Sequence, residues 1–285
     1  MIYDEPIIKD MIILIPYFNF TNSIRIKKNL LYVIELLNRS KIPFLLGEVY
    51  FKTEFPHFPE YFNWGTDSYM FYKENIINLL ETKADSNYKY VCVMDCDIYF
   101  ENTNWYNKLR EHLANYDVCQ PFTKAVWYNK YGKEYKTSNN IILDRYKGHT
   151  GFVWAFKRDW LKKFKLFDLN LIGGGDRTLS NLILNENTTV KYIEDLFIIF
   201  KNKIDKISYS YLNMTVCHMY HGTFKNRQYD TRENIIINIL KKNNLNNILD
   251  LIYISDIGLY EWKDEFREEL NQEILKYFIN RKDDK

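Results

Sequence analysis

The chain has 285 residues, 46% apolar and 17% aromatic, which suits a full packed core and excludes a disordered protein. Its 39 basic and 37 acidic residues leave a net charge of +2, so there is no overall basic field to draw it onto nucleic acid. No basic-plus-apolar leader and no apolar run near about eighteen residues is present, which predicts a cytoplasmic protein without a membrane span.

Met11-Ile12-Ile13-Leu14-Ile15-Pro16 predicts a first buried strand, ended by a proline that cannot continue it. Thr21-Asn22-Ser23 then offers N-cap chemistry to a helix carrying Ile26, Leu30, Val33, Ile34 and Leu37 at helical spacing. Residues 43–51 predict a second strand, and 67–82 a helix with Tyr69, Tyr72, Ile76, Ile77 and Leu80 on its apolar side. The near-continuous apolar run at 89–94 predicts a third strand, buried on both faces. This strand–helix rhythm implies right-handed crossovers and a parallel sheet.

Further along, the pattern predicts a helix over 104–115, a short strand over 117–122 and a long irregular loop over 127–147 that would act as a lid. A strand over 150–156, a short helix over 157–165, a helix from Asp176 through Leu184 and a strand over 208–216 follow. From Thr231 onward the pattern is helical, and Phe266, Leu270, Ile274 and Phe278 form the apolar stripe of a helix over 261–281. The fold class is therefore α/β, a Rossmann-like, mostly parallel sheet flanked by helices, with a C-terminal helical extension. Cys92, Cys96, Cys119 and Cys217 show no paired spacing and read as reduced thiols.

Three constellations carry candidate chemistry. Asp95-Cys96-Asp97 closes the third strand, at the sheet end where open α/β folds bind ligands. Two acids spaced i, i+2 can share a hard divalent cation, although such pairs also occur in solvated turns. Gly173-Gly174-Gly175-Asp176 lets backbone approach a ligand closely and places an acid at a helix start, where a plain N-cap is the simpler reading. His218-Met219-Tyr220-His221 puts two imidazoles within reach of one ion, and Lys225 and Arg227 follow, placed to neutralise a diphosphate. Acids and imidazoles without thiolates favour Mn²⁺ or Mg²⁺ over zinc.

In their order and spacing these motifs resemble the GT-A nucleotide-sugar glycosyltransferases, in pattern the β-1,4-galactosyltransferase type, from about residue 11 to residue 230. Ile13 to Asn19 is similar to that family's first strand and its nucleotide-contacting Pro-Phe-Arg-Asn segment, with Pro16 and Asn19 kept, Tyr17 at the phenylalanine and Phe18 in place of the arginine. Residues 71–78, with Lys73, match a helix that faces the nucleotide, and Asp95-Cys96-Asp97 stands for the Asp-Val-Asp motif. Gly151 to Phe156 resembles a strand that meets donor and acceptor. Gly174-Gly175-Asp176 resembles the Gly-Gly-Glu-Asp segment, with Gly175 in place of the glutamate, and His218 replaces the methionine of a Met-x-x-His pair.

The resemblance implies a catalytic domain over 1–232, with a nucleotide-binding half (1–100) and an acceptor-binding half (101–232), followed by a helical extension over 233–285. It implies transfer from a nucleoside-diphosphate sugar, uridine first, to an acceptor hydroxyl with inversion. Asp97, His218 and His221 would ligate Mn²⁺ (or Mg²⁺), and Asp95 would reach the ribose or the metal shell. Asp176 would be the base, with Gly151, Gly174 and Gly175 at the ligand and Lys225 and Arg227 at the diphosphate. A saccharide is the first acceptor to expect, and a hydroxymethylated base in DNA the alternative. A nucleotidyltransferase would share the Asp pair, but Pro16 to Ser23 lacks the basic, glycine-rich loop it would need. A non-catalytic binding module would account for the aromatics but not for acids, base and histidines together.

Overall fold

The computed structural model describes residues 7–229 and 231–285. In chain order its elements begin with β1 (Met11–Phe18), α1 (Ile24–Arg39), β2 (Phe44–Phe51), β3 (Phe62–Thr66), α2 (Lys73–Lys83), β4 (Tyr90–Met94), β5 (Ile98–Phe100) and α3 (Trp105–Leu113). There follow β6 (Val118–Gln120), β7 (Lys124–Tyr128), β8 (Glu134–Asn139), β9 (Val153–Lys157), α4 (Arg158–Phe164), α5 (Gly175–Ile183) and α6 (Glu194–Lys201). The last are β10 (Tyr209–Tyr211), β11 (Thr215–His218), α7 (Asn234–Lys242), β12 (Ile252–Ile254), β13 (Tyr260–Trp262) and α8 (Asp264–Asn280).

The main sheet has the order β10-β6-β9-β4-β1-β2-β3. Strands β2, β1 and β4 run parallel, as the strand–helix rhythm predicts, an unforeseen β3 joins them in parallel, and β9 runs antiparallel to both β4 and β6. Residues of β1 alternate between two cores: Ile12 and Leu14 face one, Met11, Ile13 and Ile15 the other. Both faces are thus covered, which is why these strands read as unbroken apolar runs. The order in which strands are added reverses at β1, since β2 lies on one side of β1 and β4 on the other. In open α/β sheets that switch point opens a crevice beyond the carboxyl ends of the strands.

A second sheet, β5-β11-β7-β8, packs beside the first. Its β7–β8 hairpin corrects the expectation of an irregular loop over 127–147. Strand β8 is exposed along almost its whole length, so no apolar alternation marks it in the sequence. The turn is held by Asn129, whose side-chain oxygen accepts from the backbone N–H groups of Tyr131 and Lys133 at 2.9 and 3.1 Å. The strand expected over 208–216 is two strands, β10 and β11, in different sheets. Helix α2 starts at Lys73 rather than Asp67. The N–H groups of Tyr69 and Phe71 donate to the Asn271 side chain (2.8 Å) and the Leu171 carbonyl (2.9 Å), which holds that stretch out of a helix.

Residues after Thr231 form α7 and α8 as expected, with an unforeseen β12–β13 hairpin between them. Ile236, Trp262, Leu270 and Ile274 of this region lie fully buried in the same core as Leu14 and Val93. Trp262 is fixed at both ends, its backbone N–H donating to Ser68 Oγ (2.9 Å) and its indole to the Tyr69 carbonyl (3.2 Å). Among the described residues no helix is long and apolar enough to cross a membrane. The four cysteines are free.

Candidate active site

A cleft of about 660 Å³ opens at the switch point, a size ordinary for a small-molecule site. Its wall beyond β4 is the turn Asp95-Cys96-Asp97, which leads directly into β5. Strand β5 pairs antiparallel with β11, setting His218 opposite Ile98, and the Met219 N–H donates to the Asp97 carbonyl at 2.8 Å. This register brings an acid from the first half of the chain against two histidines from the second. Asp97 Oδ2 lies 2.6 Å from His221 Nε2 and 3.6 Å from His218 Nε2, and the two Nε2 atoms are 3.1 Å apart. Ligand atoms of the three residues all fall within 4.8 Å of one another.

The protonation states suit a cation. Burial opposes ionisation of Asp97, but His218, His221 and Arg227 around it outweigh that and hold its carboxyl well below the usual range. Burial pushes His218 down to about 3, so its imidazole is neutral and able to ligate. Asp97 Oδ1 and His218 Nδ1 are buried without a hydrogen-bond partner, a costly arrangement in a closed fold. Three converging lone pairs and an orphaned carboxylate oxygen fit a divalent cation. Of the residues read as ligands from sequence, Asp97, His218 and His221 converge.

Asp95 lies apart from that cluster. Its Oδ1 is 2.6 Å from Lys73 Nζ, which also lies 2.7 Å from Asp176 Oδ1. Lys73 opens α2, and its ammonium is the cation joining the two acids. Burial opposes that charge, yet Asp176 and Asp95 outweigh it and raise the pKa above the ordinary lysine value. Burial pushes Asp95 up to about 7 and Glu74 up to about 8, against the pull of Lys73. Lysine and carboxylates together form a compact ion-paired group beside the Asp97, His218 and His221 cluster.

The glycines have local reasons. Gly173 and Gly174 take φ of 87° and 102°, in the left-handed region that side chains disfavour, to turn the chain into α5. At Gly175 a Cβ would come within 2.0 Å of Glu74 Oε1, so the Glu74 carboxylate occupies the space that a side chain at 175 would need. Sequence reading finds the glycine but not the carboxylate that fills its place. Gly151 lets Asp176 approach, since a Cβ there would lie 2.7 Å from Asp176 Oδ2. Its neighbour Phe152 holds φ at 80°, a strained value for a bulky residue, and stacks on the His218 ring at 5.0 Å and 17°.

The remaining sequence-predicted residues divide. Pro16 and Asn19 line the cleft. The Asn19 amide is engaged in holding the β1–α1 turn, donating to the Ser23 carbonyl (2.9 Å) and Tyr17 hydroxyl (3.1 Å) and accepting from the Ser23 N–H (2.9 Å). Tyr17 is buried and does not line the cleft. Arg227 reaches the cation cluster, its Nη2 lying 2.8 Å from His221 Nδ1 and 2.8 Å from the His221 carbonyl. Lys225 is exposed and does not line the cleft. Sequence reading missed Glu74, Trp127, His149, Arg232, Arg281 and Asp283, all of which line it. Asp283 in particular sits in a charged run that looks like a solvated end.

His149 gives the site a stability signature. It packs on Phe152 (4.1 Å) and Trp127 (4.8 Å), and burial pushes its imidazole from the usual 6.5 to about 3. The folded protein refuses a proton that the unfolded chain accepts below about pH 6.5, so this contribution is present above pH 6.5 and lost as pH falls towards 3. The urea midpoint of the wild type should therefore fall more steeply between about pH 6.5 and 4 than that of His149→Phe. Parallel curves would show that His149 is not held neutral.

The chain matches no protein-family model and no curated protein sequence. Among solved structures it is similar to a Drosophila β-1,4-galactosyltransferase 7 mutant in complex with manganese, UDP-Gal and xylobiose, at 14% identity and a TM-score of 0.40. That match covers 72% of this chain and 65% of the other, so the chain spans a little under two thirds of that structure's length. The catalytic domain of the same galactosyltransferase with xylobiose matches at 12% identity over 94% of this chain and 99% of the other, with a TM-score of 0.45. Glucosyl-3-phosphoglycerate synthase from Mycobacterium tuberculosis, with Mn²⁺, UDP and phosphoglyceric acid, matches at 8% identity over 90% and 87%, also with a TM-score of 0.45.

Proposed function

We propose that this protein is a metal-dependent GT-A glycosyltransferase that moves a sugar from a nucleoside diphosphate, uridine first, to an acceptor hydroxyl with inversion. One observation carries the reading: Asp97, His218 and His221 converge on one point, while Lys73 beside them joins Asp95 to Asp176. A cation site and an aspartate able to take a proton thus share one cleft at the carboxyl ends of parallel strands. A Mn²⁺ or Mg²⁺ ion held by Asp97, His218 and His221 would supply Lewis-acid neutralisation of the departing diphosphate.

The protein's own residues account for the other requirements. Asp176, ion-paired with Lys73, takes the proton of the acceptor hydroxyl as its oxygen attacks the anomeric carbon. The bond from that carbon to the diphosphate oxygen breaks on the opposite face, which inverts the centre. Arg227 stands at the cation cluster, where the leaving group's charge grows. Trp127, Tyr135 and Lys136 of the β7–β8 hairpin form one wall of the cleft and exclude water from the reacting carbon. A wall of aromatic rings also suits a saccharide acceptor.

A panel of nucleotide sugars, each with and without Mn²⁺, tests the assignment by melting temperature, because a ligand that binds the folded state raises it. One uridine-diphosphate sugar should raise Tm with Mn²⁺ and much less without it. A panel with no Mn²⁺-dependent shift would overturn the proposal.

A further inference from the structure

The segment after α8 does not trail into solvent. Asp283 is 6% exposed, and its Oδ1 lies 3.3 Å from Arg281 Nη2, 3.7 Å from Arg227 Nη2 and 3.4 Å from His221 Nδ1. The next residue, Asp284, clamps the segment to the start of α1, accepting from Ser23 Oγ (2.7 Å) and from the N–H groups of Arg25 (2.8 Å) and Ile24 (3.3 Å). The Tyr220 hydroxyl donates to the Lys285 carbonyl. Gly222 packs directly on this backbone, where a Cβ would lie 3.2 Å from the carbonyl oxygens of Arg281 and Lys282. The loop that carries His221 and the segment 281–285 therefore hold each other in place.

His221 points Nε2 at Asp97 and His218. An imidazole that gives Nε2 to a cation carries its proton on Nδ1, and that N–H needs an acceptor to fix the tautomer and the ring plane. Arg227 Nη2, 2.8 Å from Nδ1 and 3.0 Å from Nε2, is a donor and cannot accept that proton, so with Nε2 on a cation it has to turn from the ring to its other acceptors. Among the described residues Asp283 is the carboxylate within ion-pair distance of Nδ1. We propose that Asp283 is the positioning residue for His221, accepting the Nδ1 proton so that Nε2 is committed to the cation. Arg227 then keeps the His221 carbonyl, 2.8 Å away, and Asp283 itself as partners. This inference rests on reading Asp97, His218 and His221 as a cation site.

Calorimetric titration of the full chain with Mn²⁺ alone tests it without recourse to activity. Asp283→Ala should bind Mn²⁺ about 10–100-fold more weakly than wild type, the usual effect of removing a carboxylate behind a metal-bound histidine. Asp283→Asn, which keeps the shape and a weaker neutral acceptor, should fall between them. Circular dichroism of the metal-free variants should match wild type. Folded Asp283→Ala with wild-type affinity overturns the proposal; if it does not fold, unchanged affinity in Asp283→Asn does the same. Independently, ¹⁵N-resolved spectra of the Mg²⁺-loaded wild type should show His221 protonated at Nδ1, and an Nε2–H tautomer would overturn the assignment. A wild type that binds neither ion would instead bring down the cation site itself.

Discussion

Asp97→Ala should abolish Mn²⁺ binding and sugar transfer together. Asp97 is the one carboxylate among the three converging residues, and the two imidazoles left behind bring no negative charge to a cation. A hard divalent ion draws most of its binding from carboxylate oxygen, so two nitrogens alone would hold it poorly. Removal of Asp97 also takes away the carboxylate oxygen that lies 2.6 Å from His221 Nε2. Free Mn²⁺ measured by electron paramagnetic resonance, beside release of the nucleoside diphosphate, reads both losses in one sample. His218→Ala and His221→Ala should each weaken Mn²⁺ binding, and a chelator in excess should stop turnover of the wild type. Full activity under chelation would end the metal-dependent reading.

Asp176→Asn should leave binding of the donor sugar intact while transfer drops by roughly 10²–10⁴-fold. The amide keeps the shape of the side chain, including its close fit over Gly151, but cannot take the acceptor's proton. It also leaves Lys73 paired with Asp95 alone. Single-turnover transfer against direct titration of the donor separates the two effects. Transfer within tenfold of wild type would remove Asp176 from the base role. The anomeric configuration of the wild-type product is the second check, since a retained centre would exclude direct attack on the donor.

Much of the scaffold was legible because its residues obey local rules. β1 and β4 are buried on both faces and read as unbroken apolar runs, and of the candidates Thr21, Asn22 and Ser23 the last is the N-cap of α1. The β7–β8 hairpin was not legible, because β8 faces solvent and carries polar residues at nearly every position. β9 looked like another strand, but its antiparallel direction depends on the path of the chain between β6 and β9, which no local pattern encodes. In the site, Asp97, His218 and His221 stood out as a spaced set, and they do converge. The role of Lys73 as the link between Asp95 and Asp176 was hidden, since it joins positions far apart in the chain. Asp283 was invisible for the same reason. Charged residues at the end of an amphipathic helix look solvated until the tertiary fold shows what they touch.

The antiparallel pairing of β5 with β11 has a consequence for the order in which the molecule is made. Asp97 and His218 meet only when the chain has closed a loop spanning much of its length, a step whose entropic cost delays non-local contacts. The parallel strands β1 to β4 all come from the first half of the chain, which supplies only Asp97 to the ligand cluster. A ligand that grips Asp97, His218 and His221 therefore recognises the finished topology and finds little to hold in earlier states. Its stabilisation falls on the native side of the folding barrier and lengthens the lifetime of the folded chain rather than hastening its arrival.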